Sequence, residues 1–366
     1  MWLLICPTGV AIIFALILMC WSIPVQVHVE LTTQRVAFGV DPKQTGARII
    51  VDGMDVRSVG IERFASITFE PDSVEVAVPS EYDARTDSFP STAWKPLSLT
   101  GTMVGFSTQT ASKNARVIVE EKLKSKNSGI RVDPIYALPG VQISIETRGR
   151  KNDELAITVT NHSSVTLSLE GSIAIIAADT RMSGVEDPIS ERNMEVTYGV
   201  HLRGNAPFIE VAGRSDGLVI LPTFRTGQAN RNIASNVAVS TLEFTSQNSG
   251  GERVSALSGN GLITFPAHPY LGTITINETD AVGLERLEEF SIKSVSTSPG
   301  LSGIRIVGDG MAGQIRTKTG QIPIERHLTA FDALTHNSGV TALFALGAWL
   351  IPTLLGALRF LKVING

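Results

Sequence analysis

The sequence predicts an all-β region, built as two sandwich-like or jelly-roll-like lobes, flanked by N- and C-terminal transmembrane α-helices. Three observations predict it. Two runs, residues 2–21 and 339–358, carry no charged residue. Between them, apolar residues recur at every second position in short stretches, the period of a half-buried strand. Turn-forming pairs such as Asp52-Gly53, Pro71-Asp72, Ser128-Gly129 and Pro139-Gly140 separate those stretches.

The first run is 20 residues long. At about 1.5 Å of rise per residue it spans about 30 Å, the hydrocarbon thickness of a bilayer. Trp2 and Trp21 bracket it and place one indole near each interface, so both are assigned to membrane anchoring. A cleaved leader would carry Lys or Arg ahead of its apolar core and small residues before the cut. Ile17, Leu18, Met19 and Cys20 do not fit that pattern, nor does Met19 fit the small residue that lipid attachment at Cys20 would need. A retained anchor is expected.

The second run, 339–358, is followed at once by Arg359 and Lys362. These two cations anchor the helix end and, by the bias of basic residues towards the cytoplasm, put both termini there. The large domain is then exoplasmic or periplasmic, held at the plasma (inner) membrane by two spans. Small residues in both runs, Ala11 and Ala15 in the first and Gly339, Ala342, Ala345 and Gly347 in the second, suit helix–helix packing. Pro352 kinks the second helix.

Between the spans the composition is that of an ordinary soluble domain. Removing Arg359 and Lys362 from the 31 Lys plus Arg leaves 29 against 35 Asp plus Glu, a balance of −6. That balance lacks the basic stripe a nucleic-acid surface requires, the densest cluster being Lys122, Lys124 and Lys126. Both cysteines, Cys6 and Cys20, fall in the first run, so the domain has neither a disulfide nor a thiolate metal site, and the absence leans towards an oxidising compartment.

Strands are expected in order at 25–31, 48–51, 65–69, 74–78, 116–119, 141–145, 155–160, 165–169 and 173–176. A second group follows at 195–200, 208–211, 218–221, 237–244, 262–265, 273–276, 290–295 and 304–307. So many strands exceed one sandwich, and the polar stretch 182–193 is the expected boundary between a first lobe, 22–185, and a second, 186–322. Residues 79–96 read as a long loop with Tyr82, Phe89 and Trp94, the candidate partner-contact residues. Residues 113–128 fit a short helix or a lysine-protected edge strand. Ile324, Leu328, Phe331 and Leu334 sit at helical spacing, which predicts an amphipathic juxtamembrane helix over 323–336.

No motif carries catalytic chemistry. Gly308, Gly310 and Gly313 form a G-x-G-x-x-G after a strand, but the helix and second parallel strand of a dinucleotide site have no room before residue 339; Asp309-Gly310 reads as a hairpin turn. Nucleophile, zinc, phosphate-loop and calcium-loop signatures are missing, and the six histidines have no ligand spacing. Acid pairs such as Asp52 with Asp55 read as loop surface. Asn161-His162-Ser163 and Asn277-Glu278-Thr279 fit the glycosylation sequon. The expected protein is non-enzymatic, with no metal and no cofactor. It acts as a scaffold or partner-binding subunit of a membrane or envelope complex, its partners the bilayer and membrane proteins. The alternative is a carrier that binds a lipid or a glycan at the membrane surface.

Overall fold

The computed structural model describes residues 22–43, 48–79, 92–108, 114–121, 129–148, 154–160, 164–170, 173–186, 195–203, 208–214, 216–224, 231–247, 250, 252–297, 303–319, 322–326 and 328–329. The chain opens with β1 (Ser22–Ile23), β2 (Val25–Thr33), β3 (Arg35–Val40), β4 (Arg48–Val51), β5 (Met54–Val56), β6 (Ser58–Glu62), β7 (Phe64–Phe69) and β8 (Pro71–Pro79). It continues with β9 (Thr92–Leu97), β10 (Val104–Ser107), β11 (Arg116–Glu121), β12 (Gly129–Val132), β13 (Ile135–Ala137), β14 (Gln142–Arg148), β15 (Glu154–Val159), β16 (Ser164–Glu170), β17 (Ile173–Ala178) and β18 (Arg181–Ser183). Then come β19 (Glu195–Leu202), β20 (Phe208–Gly213), β21 (Leu218–Thr223), β22 (Arg231–Gln247), β23 (Arg253–Ser255), β24 (Gly261–Thr264), β25 (Thr273–Ile276), β26 (Asp280–Thr297), β27 (Ile304–Thr319), β28 (Ile322–Arg326) and β29 (Leu328–Thr329).

The described residues are all-β, apart from one 3-10 turn at Pro269–Leu271. Among them no helix is long and apolar enough to cross a membrane. The two runs expected to be spans, 2–21 and 339–358, lie outside the described residues.

Alternation builds these strands. In β2, Val25, Val27, Val29, Leu31 and Thr33 are buried, while the residues between them are exposed or half-buried. Each such apolar side chain contributes about 1.5–3 kcal/mol when fully removed from water. Strand pairing then joins the large sheet into one path, β9-β8-β19-β17-β11-β6-β21-β15-β14-β3-β22-β26-β27-β2-β24-β25, with β23 on β22 and β28 on β27. A seven-stranded sheet, β18-β10-β7-β20-β16-β12-β5, packs against the first part of that path. The join is visible in an aromatic stack: Phe69 and Phe106 of the smaller sheet lie 5.9 Å apart by ring centroid, and Phe106 lies 5.4 Å from Tyr198 of β19. The main apolar core runs from Val25 to Ile315, and Ala156, Val219 and Leu221 form a small second cluster.

Tyr198 is almost fully buried, and desolvation raises its phenol above the usual range. The unfolded chain therefore ionises first, so this group's contribution to stability is complete below the unfolded phenol value and is lost as pH rises through the higher folded one. Denaturant unfolding against pH is expected to show stability falling above about pH 10, with a smaller alkaline loss in Tyr198→Phe.

Four expectations change. The boundary expected at 185/186 falls within paired strands: β17 hydrogen-bonds β19, and β20 lies between β7 and β16. Of the stretch 113–128, Arg116–Glu121 is neither a helix nor an edge, since β11 pairs with β17 on one side and β6 on the other; residues 113 and 122–128, with the three lysines, lie outside the described residues.

Residues 322–326 and 328–329, within or beside the helix expected at 323–336, are strand. The reason lies in β27. Its first part is covered by β2, which reaches only to Ala312, and β28 satisfies the same edge from Ile315 to Thr319. Asp309-Gly310 is no hairpin turn either, because β27 runs unbroken from Ile304 to Thr319.

Candidate functional site

The three long strands β22, β26 and β27 are irregular at one level. Between β26 and β27 the register slips so that Glu289 and Phe290 together oppose Gly310. This is a β-bulge, an extra residue on one strand that bends it. Glu289 (φ 50°) and Arg286 (φ 53°) take left-handed backbone in β26, as does Asn236 (φ 54°) in β22. Left-handed backbone at a non-glycine residue is uncommon and collects at working sites. The glycines of the G-x-G-x-x-G now have their role. A Cβ on Gly308 would lie 2.8 Å from the Phe290 ring and one on Gly310 would overlap the Phe290 Cα, while Gly313 faces Arg286. Gly308 and Gly310 thus admit the bulge of β26.

Beside this bulge a cleft of about 450 Å³ opens on the outer face of the sheet, lined by Ala37, Gln142, Thr241, Glu243, Glu285 and Arg286. Small residues shape it. Ala37 pairs with Glu243, Gly39 lies between Gln142 and Thr241, and Glu243 pairs with Gly283 on β26. A Cβ on Gly39 would come within 2.6 Å of the Gln142 Nε2, so glycine is what lets that amide lie flat.

The cleft's polar groups are set by their partners. Thr241 Oγ1 accepts the Gly39 N–H at 3.1 Å, which leaves its own O–H to donate outward. The Gln142 main chain is held by Thr160, whose Oγ1 accepts the Gln142 N–H and donates to its carbonyl. Glu243 faces Arg253 at 3.6 Å, and Glu285 accepts from Arg316 at 2.7 Å. Arg286 has no ion-pair partner among the described residues.

The residues expected to meet a partner are spread differently. Tyr82 and Phe89 lie outside the described residues, as do Trp2, Trp21, Arg359 and Lys362. Trp94 is described: it belongs to β9, opposite Ala77, and 39 % of it is exposed. The end of the expected loop is therefore strand, and among the described residues β9 is the outermost member of the large sheet on that side. Lys95 and Pro96 follow Trp94 on it, the charge and the missing donor that keep an edge from pairing indiscriminately. A second exposed group is Ile49 and Tyr136, cross-strand neighbours on the ribbon of β4 and β13, with Leu138 just past the end of β13.

Other candidates resolve into local contacts. His28 Nδ1 meets Asp309 Oδ1 at 2.6 Å across β2 and β27, and the His268 Nδ1 lies 3.1 Å from the Tyr270 hydroxyl. Asp52 accepts from Ser235 and Asn232, whereas Asp55 faces Arg131, so the two carboxylates serve different partners. Among the described residues no group of three His, Cys, Asp or Glu could hold a metal ion. Comparison with known proteins gives no match to a family model, to a curated protein or to a solved structure.

Proposed function

We propose that this chain is a membrane-tethered, non-enzymatic β scaffold that presents a partner-binding surface beside the bilayer. One observation carries the reading. β1 and β29 pair antiparallel, Ser22 with Thr329 and Ile23 with Leu328. The apolar run 2–21 ends directly before Ser22, and nine residues separate Thr329 from the run 339–358. In an antiparallel ladder, the chain before Ser22 and the chain after Thr329 leave from the same end, about 4.8 Å apart. A two-span hairpin needs its spans to emerge side by side on one face of the domain, and this ladder supports that geometry. The domain is then gripped at one end, and the outer strand β9, with Trp94 39 % exposed, presents a surface to a partner.

Two measurements test it. With Cys6 and Cys20 replaced by serine, the double variant Ser22→Cys/Thr329→Cys is expected to form an intramolecular disulfide under mild oxidation in native membranes. Cross-linking and pull-down of the full chain from those membranes is expected to recover a membrane protein reproducibly, with less recovered from Trp94→Ala. Absence of the disulfide removes the tethering geometry; a lone monomer whose deletion leaves every other membrane protein intact removes the scaffold.

A further inference from the structure

We propose that the cleft beside the β26 bulge is a binding site for a sugar that carries a carboxylate, a uronic acid residue, with Arg286 taking the carboxylate. Of the charged groups that line it, Glu243 and Glu285 each face a guanidinium, whereas Arg286 has no ion-pair partner among the described residues. The protein holds Arg286 there in left-handed backbone, at φ 53°, beside a bulge that re-aims side chains. A planar guanidinium matches a carboxylate with two parallel hydrogen bonds.

The rest of the cleft recognises hydroxyls. Glu243 and Glu285 retain acceptor capacity beyond their arginines, Thr241 donates its free O–H, and the Gln142 side chain both donates and accepts. The volume, about 450 Å³, is that of a small-ligand site. The two wall carboxylates argue against a phosphate dianion, which they would repel, and favour a monoanion rich in hydroxyls. The inference is independent of membrane tethering and of any protein partner.

The test uses the full chain in detergent micelles, titrated separately with galacturonate, glucuronate, galactose and inorganic phosphate by calorimetry or ligand-observed NMR. At least one uronate is expected to bind saturably, ten-fold or more tighter than galactose and phosphate. Arg286→Asn is expected to reduce that uronate to the galactose level without lowering the thermal midpoint, because asparagine accepts left-handed backbone. Ala37→Phe, which fills the cleft and leaves every charge in place, is expected to abolish binding. No saturable uronate binding, uronate binding unchanged in Arg286→Asn, or phosphate bound more tightly than either uronate overturns the proposal. If Ala37→Phe does not fold, the Arg286→Asn titration decides alone.

Discussion

Gly310→Ala is expected to destabilise the protein by about 3 kcal/mol or more, measured as a shift of the denaturant midpoint. The added Cβ would overlap the Phe290 Cα and lie 2.8 Å from the Glu289 carbonyl oxygen. These are backbone atoms of the bulge, so no rotamer change relieves the clash. The bulge itself would have to be undone, and with it the register between Glu288 and Ser291. Gly283→Ala is the control on the same sheet. Its Cβ would meet nothing nearer than the Glu243 Cγ at 3.9 Å, and a change within about 0.5 kcal/mol is expected. An equal loss in both variants would mean that the bulge does not hold the long strands together.

The second large effect is expected at the sheet-to-sheet join. Phe106→Ala removes a fully buried ring that touches Phe69 within its own sheet and Tyr198 on the opposing one. The lost transfer energy and the cavity together are expected to cost about 3–5 kcal/mol. Because Tyr198 then faces the cavity, its phenol gains access to water. The alkaline stability loss is expected to shrink in the same variant. Leu138→Ala, at a residue 63 % exposed, is expected to change stability by less than about 0.5 kcal/mol. If Phe106→Ala were as mild as Leu138→Ala, the two sheets would not be coupled through this stack.

How much of this was written in the sequence depends on the range of the interaction. Period-two stretches with one buried face, such as β2, β14 and β17, announce themselves because alternation is local. Ser58–Glu62 and Val104–Ser107 do not: three consecutive residues are buried in each, so there is no alternation to detect. The helical stripe over 324–334 is genuine spacing, yet its described start, Ile324 to Arg326, pairs with the free edge of β27, a demand set by a partner that no local window contains; residues 327 and 330–336 lie outside the described residues. The same holds for the glycines at 308 and 310, which read as a turn because the bulge they accommodate belongs to another strand. The lobe boundary failed likewise, since a polar stretch marks a surface loop, not which strands pair across it. The candidate cleft was not legible at all. Ala37, Gln142, Thr241 and Arg286 come from four strands far apart in the chain, and the one local clue, a non-glycine residue in left-handed backbone, leaves no signature in residue type.

The place of β2 has a consequence in time. This strand is among the first parts of the domain to be synthesised, yet its two neighbours are β24 and β27, from the far end of the chain. His28 and Asp309, which meet in the finished sheet, are 281 residues apart in sequence. At about 5–20 residues per second, a ribosome takes roughly 15–60 s to supply the missing partner. Throughout that interval Val25, Val27, Val29 and Leu31 form an apolar ribbon with neither face nor edge covered, a template for mispairing with other chains. The last region of the domain to close therefore contains its first strand. Refolding from denaturant, where all partners are present at once, removes the wait and leaves only the slow search that such distant pairing imposes.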